Sequence, residues 1–314
     1  MIVALAGGVG GAKLAAGLAH ELPTDALVVA VNTGDDFEHF GLHISPDLDT
    51  VMYTLAGVAN ADTGWGLANE TWNFMEALNA LGAPTWFRLG DRDLATHAER
   101  SRRLRGGEPL SLITRALCER FGVRHAVLPM CDESVRTFVN TDDGVLEFQH
   151  YFVREHCRPR LRSLEYRGSE NARVNSALLH ALTAPSLLGT VICPSNPYLS
   201  IGPILAIPGM REALRQAGPV LAVSPLVGGQ ALKGPTAKIM HELGLAPAPL
   251  TLAQHYAGLI DVLLIDRSDV SHAGGIEALG IRAVSADIVM RSDGDRARLA
   301  GQCVTLLREL RLRR

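Results

Sequence analysis

Short apolar runs alternate along the chain with stretches in which apolar residues recur every three or four positions. Ile2 to Ala6 is such a run; a helical pattern follows from about Ala12 to His20, and then a second run from Leu27 to Asn32. The rhythm returns after residue 185, where Leu187 to Cys193, Val220 to Pro225, Asp261 to Asp266 and Arg282 to Ser285 are separated by helical patterns. Parallel strands joined by crossover helices account for this alternation, and the two ends of the chain are predicted to build one sheet. The middle differs. Residues 65 to 120 are mostly helical in pattern, with a short strand ending near Leu89, and Val135 to Val153 alternates around Asp143-Gly144, a good hairpin turn. The expected architecture is one α/β domain over residues 1–314, a mostly parallel sheet flanked by helices. Residues 60–185 are expected to form an inserted, mainly helical cap that contains the β-hairpin.

Composition narrows the classes. With 47% hydrophobic and 20% charged residues in 314, the chain can bury a large core, which excludes disordered and fibrous proteins. A net charge of -3 leaves no electrostatic footprint for nucleic acid, and the locally basic Arg308 to Arg314 reads as a solvated helix end. Cysteines 118, 131, 157, 193 and 303 are widely spaced, without a Cys-x-x-Cys pair, as expected of a reducing cytosol. No apolar stretch approaches ~18 residues and no charged n-region precedes the first run, so neither a membrane span nor a signal peptide is expected, and a cytoplasmic location follows.

Chemistry concentrates where the apolar runs end. Gly7, Gly8, Gly10 and Gly11 followed by Lys13 sit between a strand and a helix, an arrangement that aims free amides and a positive helix end at an anion. Neither familiar fingerprint fits: Ala12 and Leu14 stand where a P-loop needs glycine and a hydroxyl, and Lys13 replaces the third glycine of a dinucleotide turn. Two further loops follow later runs. Ser195 and Asn196 lie between Pro194 and Pro197, and Lys233, Gly234 and Lys238 surround a helix start with Pro235 at its first position. Ligands in such sheets sit beyond the carboxyl ends of the strands, so the three loops are expected to share one cleft.

The second run ends at Asn32 and leads into Asp35 and Asp36. Ser45 and Pro46 then open a helix whose first turn holds Asp47 and Asp49. Acids gathered on one sheet edge point to Mg²⁺, which takes one or two carboxylates plus phosphate oxygens. Farther on, Arg88 or Arg92 offers a bidentate phosphate clamp and Asp91 a partner for a ring or hydroxyl, while His97 and Arg100 to Arg105 read as a solvated helix face. Met130 packs either on a flat ring or in the core.

Taken together, "GGVGGAK" (7–13), "VNTGDD" (31–36), "ISPDLDTVMY" (44–53), "RLGDRDLATH" (88–97), "LPMCDE" (128–133), "PSNPYLSIGPILAIPGMREAL" (194–214) and "AVSPLVGGQALKGPTAK" (222–238) resemble the 2-phospho-L-lactate transferase family of coenzyme F(420) biosynthesis. The blocks lie in order over nearly the whole chain. The resemblance implies a Rossmann-like core with an inserted cap, and a Mg²⁺-dependent transfer of a phospholactyl-type group from a guanosine-diphospho donor to the terminal ribityl hydroxyl of the deazaflavin Fo, releasing GMP. It implies Asp49 and Arg88 as Fo contacts, with Asn32, Asp35, Asp91 and Met130 on the same acceptor side. Asp47 and Asp49 would neighbour the metal, and Asp47, Asp49 and Arg88 would carry catalysis. Gly7, Gly8, Gly10, Gly11, Lys13, Ser195, Asn196, Pro197, Gly234 and Lys238 would hold the donor. A homodimer is expected from base rates and family likeness. The competing readings are a non-catalytic nucleotide-sugar-binding regulator and a nicotinamide-dependent oxidoreductase.

Overall fold

Ile2–Ala6 forms β1, buried along its whole length, as a strand covered by helices on both faces must be. In the computed structural model, which describes residues 1–313, β1 runs into helix α1 (Gly8–Glu21) and returns as β2 (Leu27–Val31). A small hairpin of β3 (Phe37–His39) and β4 (Leu42–Ile44) leads to α2 (Pro46–Leu55), then α3 (Asn73–Ala80), α4 (Asp93–Arg105) and α5 (Leu110–Arg120). Strand β5 (Ala126–Pro129) follows, and after it an antiparallel sheet of β6 (Arg136–Thr141), β7 (Gly144–Glu147) and β8 (Leu161–Arg167). The chain continues through α6 (Ser176–Thr183), β9 (Gly189–Ile192), α7 (Ile201–Ala206), α8 (Met210–Ala217) and β10 (Val220–Val223). A ribbon of β11 (Leu226–Val227) and β12 (Gln230–Ala231) precedes α9 (Thr236–Glu242), α10 (Pro249–His255), β13 (Val262–Asp266), α11 (Ala273–Glu277), β14 (Arg282–Ala286) and α12 (Asp293–Arg313).

The central sheet has seven strands in the order β14-β13-β10-β9-β1-β2-β5, and its neighbours all pair in parallel. Side chains alternate across it. Val3 and Leu5 pack on one face with Leu178 of α6 and Ile204 of α7, while Ile2, Ala4 and Ala6 pack on the other with Leu14 of α1 and Leu299 of α12. The Rossmann-like α/β class expected from the sequence is therefore the class observed. No helix among the described residues is long and apolar enough to cross a membrane.

Two local expectations change. Ala126–Pro129 lies inside the segment read as cap, yet it pairs with Leu27–Val31 as an edge strand of the central sheet. The cap residues therefore leave the core and rejoin it at β5 before leaving again. No strand ends at Leu89; residues 84–89 are irregular, and Leu89 buries against Phe37, Ile44 and Met75. The basic tail continues α12 through Arg313, and Arg314 lies outside the described residues.

Candidate active site

The strand order reverses between β1 and β9: the chain steps from β1 through β2 to β5 on one side and from β9 through β10 and β13 to β14 on the other. At such a switch point the loops leaving two adjacent strands diverge to opposite faces and open a crevice. Here those loops are the Gly7–Gly11 turn and Pro194–Asn196, and both line a cavity of about 770 Å³. The Lys233–Thr236 loop lines it too, so the three loops expected to share a cleft do so.

Close packing explains the glycines. Gly8 has φ 62°, in the left-handed region that favours glycine. A Cβ on Gly7 would collide with the Asp47 carboxylate and stand 2.6 Å from Ser200 Cβ, and one on Gly11 would stand 2.5 Å from Ser195 Oγ. The turn is locked by side chains from other elements. Gly7 N–H donates to Ser195 Oγ (3.1 Å), which itself donates to the Gly7 carbonyl (2.8 Å), and Gly8 N–H donates to Asp47 Oδ1 (2.6 Å). Two amides of the turn are thus engaged, and the next amides of the first helical turn belong to Val9 and Gly10, which both line the cavity.

The acids meet at the N-terminus of α2. Asn32 Nδ2 donates to Asp35 Oδ1 (3.0 Å) and to Asp47 Oδ2 (2.9 Å), holding two buried carboxylates side by side at the cavity. Burial, and then repulsion from Asp47 and Asp36, push Asp35 well above the usual carboxylate range. Burial lifts Asp47 to about 6, although the hydrogen bonds from Asn32 and Gly8 pull it back. Ser45 precedes α2 as expected but does not cap it; its hydroxyl donates to Asp36 Oδ2 (2.8 Å). Asp49 lines the cavity as well, with both of its oxygens held by the guanidinium of Arg100.

Lys13 lines the cavity, half-buried, and donates to the Met290 carbonyl (3.0 Å). Burial, then Arg296 and Lys233, lower its pKa. An aromatic wall completes the space. Phe148 and Phe152 stack with centroids 5.3 Å apart, Trp86 and Phe87 meet edge to face at 5.7 Å, and all four line the cavity. Arg88 lines it from an exposed position, its guanidinium 4.0 Å from the centre of the Trp72 ring.

The structure thus gathers Gly7, Gly8, Gly10, Lys13, Asp35, Asp47, Asp49, Arg88, Ser195, Asn196 and Gly234 around one cavity. Other expected residues stand behind it. Asn32 is fully buried and acts through the two carboxylates it holds, and Gly11 packs beneath Ser195. Asp91 accepts from Thr71 Oγ1 and the amides of Asn73 and Phe74, fastening the start of α3; these bonds hold its carboxyl down at about 2. Met130 is wholly buried in the core beside Val139 and Leu178. Asn196 spends its side chain on Tyr198 N, Leu199 N and Thr236 Oγ1, bracing the loop that contains Pro197. Lys238 turns from the cavity to Glu242 Oε1 (2.5 Å) and Tyr151 Oη (3.2 Å), whereas Lys233 lines the cavity with no ion pair among the described residues. Pro235 caps α9 from outside rather than opening it.

The clearest correction concerns α4. His97 and Arg100, read from the sequence as a solvated face, are each 2% exposed, and His97 lines the cavity with Asp93. Their spacing from Asp93 places all three on one helix face, but spacing alone does not say whether a polar face meets water or another polar face. The aromatic wall carried no such pattern, since its members come from two distant segments.

Residues 2–298 of the chain match the 2-phospho-L-lactate transferase CofD family. A phosphoenolpyruvate transferase of Streptomyces griseus is 41% identical over 317 residues, covering 99% of both chains. A 2-phospho-L-lactate transferase of Methanosarcina acetivorans is 40% identical over 291 residues, covering 93% of this chain and 94% of that one. Among solved structures, a UPF0052-family protein of Bacillus halodurans superposes with a TM-score of 0.61 at 15% identity, over 97% of this chain and 98% of that chain, a likeness of fold. The family match and the full-length relatives together establish that the chain belongs to the 2-phospho-L-lactate transferase CofD family, a family of transferases.

Proposed function

We propose that the protein moves a phospholactyl-type group, drawn from 2-phospholactate, phosphoenolpyruvate or 3-phosphoglycerate, from a guanosine-diphospho donor to the terminal ribityl hydroxyl of the deazaflavin Fo in coenzyme F(420) biosynthesis. The observation that carries this reading is the composition of one cavity: the Val9 and Gly10 end of the glycine turn, Lys13, Lys233 and an aromatic wall line the same space. A diphosphate and a flat ring both find chemistry suited to them there. The names of the relatives support phosphoenolpyruvyl and phospholactyl donors alike.

In this reading the amides of Val9 and Gly10, with Lys13 and Lys233, hold the donor phosphates. The ring of the acceptor lies against Trp86, Phe87, Phe148 and Phe152, and Arg88 and Asp49 orient it. The acceptor hydroxyl oxygen bonds to phosphorus, its proton passes to a carboxylate of the cavity, Asp35 or Asp49, the bond to the GMP oxygen breaks, and GMP departs with that electron pair as the charged leaving group. Such loose transition states depend on positioning and charge compensation more than on a strong base.

Asp35 and Asp47 fit a divalent cation. Both are buried, both face the cavity, Asn32 holds them side by side, and burial raises the pKa of each. Mg²⁺ bound there would supply charge neutralisation to phosphate oxygens. Asp49 fits that role less well than the sequence implied, because Arg100 occupies both of its oxygens.

Titration with Fo, followed by the fluorescence of Fo itself, tests the acceptor half. Saturable binding that Trp86→Ala weakens about tenfold is the expected result. Tight guanine-nucleotide binding with no Fo binding would favour a nucleotide-binding regulator instead.

A further inference from the structure

Helices α2 and α4 meet across a buried polar seam. Asp49 and Tyr53 are four residues apart on α2; Asp93, His97 and Arg100 share a face of α4. Arg100 Nη1 lies 3.1 Å from Asp49 Oδ2 while its Nη2 holds Oδ1, a two-pronged grip at a side chain 2% exposed. His97 Nδ1 is 3.6 Å from Asp49 Oδ2 and 3.4 Å from Arg100 Nη1. Its Nε2 is 3.5 Å from Asp93 Oδ1, to which Tyr53 donates at 2.5 Å. Asp49, Asp93 and His97 line the cavity, and Arg100 stands behind them.

Asp49, Asp93 and His97 also present ligand atoms within 4.8 Å of one another, a spacing on which two carboxylates and an imidazole take a transition-metal ion. Arg100 changes what that set can do. Burial disfavours its charge, but the attraction of Asp49 and the hydrogen bonds between them outweigh it and hold the guanidinium above its ordinary pKa. A permanent cation therefore already compensates these carboxylates, and its planar fork fixes the orientation of Asp49 as a mobile ion or an ammonium would not.

We propose that Arg100 is the positioning residue of Asp49: it occupies the electrostatic place of a metal ion in the Asp49–Asp93–His97 set and holds the Asp49 carboxylate facing the cavity. Arg100 takes one lone pair from each Asp49 oxygen, leaving others for a ligand hydroxyl. The consequence for catalysis rests on the reading of Asp49 as an acceptor contact. The consequence for metal binding does not.

Two measurements on the full chain test the proposal. In steady-state kinetics, Arg100→Lys keeps the charge but loses the fork; the Fo KM is expected to rise about tenfold, with the donor KM within about twofold of wild type. In calorimetric titration with Zn²⁺, Arg100→Gln is expected to bind one equivalent more than wild type, and Asp49→Asn/Arg100→Gln to lose it again. Arg100→Lys keeps a cation in the same place and is expected to gain no Zn²⁺ equivalent, whereas Arg100→Met, which removes the charge at similar length, is expected to gain it as Arg100→Gln does, so the result stands even if Arg100→Gln fails to fold. A purely structural arginine would weaken both substrates alike and create no Zn²⁺ site, and that pair of results overturns the proposal. If wild type neither binds nor turns over Fo, the acceptor reading fails, and the Zn²⁺ titrations alone decide the role of Arg100.

Discussion

Replacing Asp47 with asparagine is expected to stabilise the free protein at neutral pH while removing its transferase activity. Burial raises the Asp47 pKa from 3.8 to about 6, which corresponds to roughly 3 kcal/mol of cost to the folded state once the group is ionised. Between those two values the folded protein binds a proton that the unfolded chain releases. The contribution of Asp47 is therefore most favourable at low pH and is lost as pH rises through about 6. Asparagine is neutral throughout. It keeps an acceptor for the Gly8 N–H but turns an amino group toward Asn32 Nδ2, a loss of about 1 kcal/mol. The variant should thus be about 1 kcal/mol less stable than wild type near pH 4 and about 2 kcal/mol more stable at pH 7. For a chain of this size that is a rise in melting temperature of about 3 °C at neutral pH. Thermal unfolding of both proteins in chelator, at unit steps from pH 4 to pH 7, reads the difference directly. Added Mg²⁺ should then raise the melting temperature of wild type and leave the variant unmoved. A variant that is less stable by the same amount at every pH would refute the reasoning, since Asp47 would then be a relaxed carboxylate.

Lys233→Ala is expected to weaken guanine-nucleotide binding about tenfold, whereas Lys238→Ala, whose side chain is tied to Glu242 and Tyr151, should change it less than about threefold; calorimetry on the two variants distinguishes them. Gly7→Ala, which drives a Cβ into Asp47 and Ser200, should abolish nucleotide binding through displacement of the turn, as the same titration would show. His39 sits among Trp86, Phe87 and Phe40, and burial followed by repulsion from His150 lowers its pKa from 6.5 to about 4. Its contribution to stability is complete above about 6.5 and is lost as pH falls through about 4. His39→Phe should therefore lose less stability than wild type between pH 7 and pH 4, by about 3 kcal/mol in full and about 2 kcal/mol once solvent screening is discounted, in thermal unfolding across that range.

Six of the seven central strands were legible as short runs, and five of them, β1, β2, β9, β10 and β13, were so because strands buried on both faces admit few polar residues. β5 escaped because Ala126–Pro129 directly follows the helical stretch ending in α5, where a short run fits either element. The three loops were legible for a related reason: glycine, proline and lysine at a strand end have few other uses. Side-chain commitments were not legible. Ser195, Asn196 and Lys238 have the right chemistry for a phosphate, yet the structure spends them on Gly7, Thr236 and Glu242. The same limit hid Arg100, whose neighbours Arg102 and Arg103 pair with Glu99 and Glu108 nearer the surface. Only the packing of α4 on α2 separates the buried arginine from the others.

The most direct test of the central claim is turnover with Fo, Mg²⁺ and the phospholactyl, phosphoenolpyruvyl and phosphoglyceryl guanosine-diphospho donors in parallel, following GMP release and the more anionic deazaflavin product by chromatography. GMP and the new deazaflavin appearing in equal amounts with at least one donor is the predicted result. No product with any donor, from folded protein that binds both Fo and guanine nucleotide, would contradict it.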